Sequence, residues 1–167
     1  MLWIPRIGAA AIAAALSLLW QPIRPQNSTD EYLTRFDHET NPIHRAKLMR
    51  KLGEAEFATI EKDVANGDVP GAVALLQKFR DQEQTCLKAL DARESDAERH
   101  PTGFKELQFS LRESLRRLDS LMGDMTRDQQ EQFAGLRQDL EQMNRHVIRE
   151  LFPRQPDNGN TPGKPKS

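Results

Sequence analysis

The sequence is short of the residues that build sheets, disulfides and cofactor cages. Its 167 residues include one cysteine, Cys86, so no internal disulfide and no multi-cysteine metal knuckle can form. Aromatic residues make up 6% and β-branched residues are few, which argues against a sheet. Neither charge sign dominates. Lys and Arg total 24 against 25 Asp and Glu, a formal net charge of -1. That balance excludes the basic footprint of a nucleic-acid binder. The sequence holds no nucleophile elbow, phosphate-cradling glycine loop, haem-attachment motif or metalloprotease helix motif.

What is present is a lean set of apolar residues, 37% of the chain, partly concentrated in the first twenty positions. The length allows one domain. A lean apolar set at helical spacing suits a bundle, where one stripe per helix makes a core.

Residues 1–26 read as an address and its linker rather than as fold. Arg6 supplies a positive n-region, and Ile7 to Trp20 is apolar and free of charge. A helix of that length rises roughly 21 Å, short of the ~30 Å hydrocarbon core. This favours a signal peptide, with Ala15-Leu16-Ser17 as the small-x-small triplet. The competing reading is an uncleaved anchor that recruits Leu2, Trp3 and Ile4 across the Pro5-Arg6 interruption. Both place residues 27 onward in an extracytoplasmic space, periplasmic or secreted. Pro22, Pro25, Asn27, Ser28 and Thr29 predict a linker over 21–29.

Beyond the linker the pattern is helical. Asp30 to Asp37 predicts a short helix with Tyr32, Leu33 and Phe36 on one side. The first long helix opens at Asn41-Pro42, a capping residue followed by a proline suited to the first turn. Ile43, Leu48, Leu52, Ala55, Ile60 and Val64 form its expected stripe, and Gly67 its stop. Asp68 caps the second long helix, whose stripe is Val73, Leu76, Phe79, Cys86, Leu87 and Leu90. Its end in the charged stretch 91–99 is ill-defined. Thr102 is the expected cap of the third, with Phe104, Leu107, Leu111, Leu115, Leu118 and Met122 following. In the fourth, Thr126 and Gln129 make a capping box. Phe133, Leu136, Leu140, Met143 and Val147 then alternate steps of three and four, and Pro153 forbids continuation. Residues 153–167, with four prolines and two glycines, predict a disordered tail.

The fold class expected is all-α: an up-down antiparallel four-helix bundle over 41–152, preceded by the signal or anchor segment and the short helix. Charge supports it. Arg45, Lys47, Arg50 and Lys51 oppose the dipole at the start of the first long helix. An up-down bundle would bring Asp91, Glu94, Asp96 and Glu98 to the same pole. A tetratricopeptide-like hairpin is the competing architecture, since Gly67-Asp68 with Ala72, Leu76 and Phe79 resembles half of such a repeat. The other half does not match and no second copy occurs.

For chemistry the residues offer little. His38, His44, His100 and His146 read as surface histidines. His146 and Glu150 are spaced i,i+4 and are the best metal pair, but Glu-x-x-His occurs nowhere, which excludes the bundle di-iron motif. Met122, Met125 and Met143 read as core filler before soft-metal ligands. Cys86 reads as a small buried apolar residue. Arg112, Arg116 and Arg117 make a basic patch on the third long helix, interleaved with Glu106, Glu113 and Asp119 as on a solvated face. Phe57, Phe109 and Ala134 lie off the main stripes and predict a second apolar face.

Met125-Thr126-Arg127-Asp128-Gln129 resembles the Leu-Thr-x-x-Gln motif of small periplasmic helical stress chaperones and metal sensors. The resemblance spans five residues, with Met in place of Leu and in one copy where such families often show two. It implies client binding or envelope metal sensing, usually as a dimer, and assigns no site residue. The sequence thus leads to a non-enzymatic interaction or structural protein of the cell envelope, acting through a protein partner or as a homodimer. A periplasmic metal-binding or stress-chaperone-like module is the alternative. No catalytic residue, no cofactor and no nucleic-acid partner is expected, and no metal ligand is assigned.

Overall fold

A computed structural model describes residues 26–93 and 97–153. The expected signal or anchor segment, Glu94 to Asp96 and the tail from 154 lie outside them. The described residues form five helices: α1 Gln26–His38, α2 Pro42–Ala65, α3 Val69–Arg93, α4 Thr102–Gly123 and α5 Arg127–Leu151. Among the described residues there is no strand, as the composition requires.

Local chemistry sets most helix ends. The Asn41 side chain accepts the Ile43 N–H at 3.0 Å, and Pro42 fills the first turn of α2, where no N–H is needed. Gly67 takes φ 82°, a conformation that an L side chain resists, and the Asp68 N–H closes back onto the Asp63 carbonyl at 2.8 Å. Asp68 then accepts the Gly71 N–H at 3.0 Å to start α3. At α5 the Gln129 side chain reaches back to the Thr126 N–H at 3.0 Å. Two expectations shift. Residues 26–29, expected as linker, belong to α1, which extends a full turn further back than Asp30. Thr102 does not cap α4. Pro101 holds the cap position with no side-chain bond, and Thr102 is already helical.

The turns at 66–68 and 124–126 fold α2 with α3, and α4 with α5, into two antiparallel hairpins. The hairpins meet side by side. α4 packs along α2, and α5 along α3, while the successive helices α3 and α4 touch least. Arg117, late in α4, reaches Glu61, late in α2, so those neighbours run parallel. Arg80 with Asp139 and Asp91 with His146 show the same for α3 and α5, so the expected antiparallel pairing of neighbours holds within each hairpin and gives way to parallel pairing between them. α1 packs on α2 alone, through buried Phe36 and half-buried Tyr32 and Leu33.

The core follows steps of three and four on each helix. On α2 the buried seam is Ala46, Met49, Gly53, Glu56 and Ile60, flanked by Leu52 and Phe57. Of the expected stripe, Leu52 and Ile60 are buried, and Ile43, Leu48, Ala55 and Val64 sit at the margin of the seam. Phe57, expected on a second face, is 1% exposed and meets Phe79 edge to face at 5.5 Å. The cause is the position of α2: touched by α1, α3 and α4, it buries more than one stripe. Gly53 lets that pair close, since a β-carbon there would lie 3.1 Å from the Phe79 ring.

Candidate functional site

Two seam positions carry acids where apolar side chains belong. Glu56 on α2 is 1% exposed and Glu83 on α3 is wholly buried. The Ser110 hydroxyl, brought in by α4, donates to Glu83 Oε1 at 2.6 Å. Glu83 Oε2, both Glu56 carboxyl oxygens and Gln82 Oε1 have no hydrogen-bond partner. Lys78 Nζ stands 3.7 Å from Glu56 Oε1, within ion-pair range but beyond a hydrogen bond. Orphaned buried acceptors of this kind are uncommon and expensive, and protonation relieves them. Burial pushes the Glu56 carboxyl up to about 7, against the pull of Lys78. Burial pushes Glu83 up to about 8, with the Ser110 bond opposing and the charge of Glu56 adding to it. Both acids hold a proton at mildly acidic pH.

Cys86 lies one turn further along α3 and is fully buried, as expected for a small apolar side chain. Burial, and then Glu83, raise its thiol far above the ordinary range, so it is no nucleophile.

An open groove of about 600 Å³ runs between α1 and α3 over this layer, with Leu33 and Phe36 on one side and Lys78 and Gln82 on the other. Arg45 of α2 forms part of it and lies over the Phe36 ring at 5.1 Å. Asp37 and Asp81 stand at its edges, so its charges balance.

The residues singled out in the sequence do not converge. His146 pairs with Asp91 across α3 and α5 at 3.2 Å. His44 faces Glu39 at 3.6 Å. Among the described residues no three His, Cys, Asp or Glu side chains come close enough to hold a metal ion. Met125 and Met143 are buried and Met122 is half-buried against the core. The basic patch on α4 is spent locally: Arg116 pairs with Glu113, and Arg117 pairs with Glu61 at 2.7 Å and covers Phe57. Arg112 lies over the Phe109 ring at 5.2 Å. At the start of α2, Lys51 pairs with Glu54 of its own helix, and Asp91 is taken up by His146, so neither joins the cross-helix pairing expected at that pole.

Glu56, Glu83 and Ser110 do not stand out in the sequence because their polarity argues for the surface. The signal was spacing. Ala72, Leu76, Phe79, Glu83, Cys86 and Leu90 step by four, three, four, three and four around an acid that cannot face outward.

The chain matches no family model, no curated protein and no solved structure.

Proposed function

We propose that the chain is a non-enzymatic interaction protein of the cell envelope, a four-helix bundle of two docked hairpins carried outward by its N-terminal apolar segment, and that it pairs with a second copy of itself. The observation that carries this reading is the exposure of three large apolar side chains. Phe109 is 45% exposed, Ile148 40% and Phe152 69%, whereas Phe36, Phe57, Phe79, Phe104 and Phe133 are all buried. Ile148 and Phe152 line one groove at the end of α5. The Arg137–Asp119 pair sets the antiparallel register of α4 and α5. Counting down α5 and up α4 from it brings Phe109 level with Val147 and Ile148. An exposed apolar patch is the ordinary mark of a protein contact. The near-zero net charge leaves no repulsion between copies.

The acids with displaced titration expose almost no surface on which a substrate could sit, which supports a binding role over a catalytic one. The test is photo-crosslinking of the full-length chain in cells, with the crosslinker at position 109 or 148 and a control at exposed Thr59. A product of twice the chain mass from 109 and 148, absent at 59, supports the reading. Crosslinks at all three positions alike, at none, or only to a different protein overturn the pairing.

A further inference from the structure

The acidic layer spans the junction of the two hairpins. Glu56 and Glu83 come from α2 and α3, and Ser110 comes from α4. Of the charged and titratable groups around it, α2 adds Arg45, α3 adds Lys78, Asp81 and Cys86, and α1 adds Asp37 across the groove. α4 presents the buried hydroxyls of Ser110 and Ser114, with its Glu113 and Arg117, and Arg50 and Glu54 of α2, lining the space beside them. α5 passes at this level with apolar Leu140 and Met143, and its Asp139 is held by Arg80 at 3.1 Å.

We propose that this layer is a proton-dependent latch between the α2–α3 hairpin and α4, closed while Glu56 and Glu83 carry protons and loosened when both ionise. A protonated carboxyl is neutral and gains an O–H, which the orphaned acceptors of Glu56, Gln82 and Glu83 are placed to receive. Ionised, the same groups are two like charges in a buried layer, faced by half-exposed Lys78 and, further off, by Arg45. Water has a short route in, because Lys78 and Gln82 form both the groove wall and the surroundings of Glu56.

The two acids titrate higher in the folded chain than in the unfolded one, so folding takes up protons, and opening becomes easier as pH rises toward 8. Cys86, buried beside the layer and the only cysteine, reports the opening. The experiment measures iodoacetamide alkylation of Cys86 in the full-length chain, as a ratio to the same chain denatured in guanidinium at the same pH. That ratio cancels the intrinsic reactivity of the thiol. Protection is expected to fall at least about tenfold between about pH 6 and pH 9, and to stay level in the Glu56→Gln, Glu83→Gln double variant. Protection that stays level in the unsubstituted chain, or that falls equally in the double variant, overturns the latch. Should the double variant lose its helical circular dichroism, the carboxyl carbon NMR titration of the unsubstituted chain decides. Two glutamates titrating above about pH 6.5 sustain the proposal, and none above the ordinary range of about 4.3 overturns it.

Discussion

Glu83 shows how one side chain can make stability depend on pH in an unusual direction. A salt-bridged surface carboxylate titrates low and lends stability that acid removes. Glu83, raised to about 8 by burial, does the reverse: its contribution is fullest near the unfolded value of about 4.5 and declines as pH rises through the folded one. Glu56 adds to the same trend with its value of about 7. Urea midpoints should therefore fall steadily between about pH 5 and pH 9. The Glu83→Gln variant should gain about 2 kcal/mol on the parent between about pH 6 and pH 9. A midpoint that climbs with pH would show the acids to be ionised and paired. At Gly53 the constraint is steric. A branched side chain meets the Phe79 ring, and Gly53→Val should cost about 1–3 kcal/mol in the same urea titration. Phe79→Ala removes the partner of Phe57 and fills nothing in return, for a loss of about 3–5 kcal/mol.

At the scale of the helix, ends were more legible than faces. Asn41-Pro42, Gly67-Asp68 and Thr126 with Gln129 act within a few residues of themselves, so their effect can be read without knowing the fold. Gly67 shows the strength of such a signal: its φ of 82° predicts that Gly67→Ala lowers the melting temperature, at about 1 kcal/mol, with no loss of helix content in the folded state. The buried face of α2 was less legible because it depends on neighbours distant in sequence. Phe57 lies off the stripe that one partner would require, and α2 has three. The acids were illegible for a related reason. Their polarity argues for the surface, yet the seam in which Glu83 sits is regular on both sides of it. The α4 patch fared likewise: Arg112, Arg116 and Arg117 look like one feature in sequence, but each is engaged by a different neighbour.

At the scale of the molecule, the described fold is two hairpins with turns of a few residues each, joined through 94–101. Contacts inside each hairpin close short loops, whereas those of α2 with α4 join residues some sixty positions apart, as Arg117 and Glu61 do. Loop-closure entropy therefore makes the hairpins the early structures and their docking the late one. The acidic layer lies on that late interface. Its protonation state should accordingly govern how fast finished hairpins find each other, and leave the speed at which either hairpin zips untouched. In stopped-flow refolding, the main phase should slow as pH rises from about 6 to 9, while helical signal gained in the dead time stays constant. The protons that hold the mature core together would then also set the tempo of its assembly.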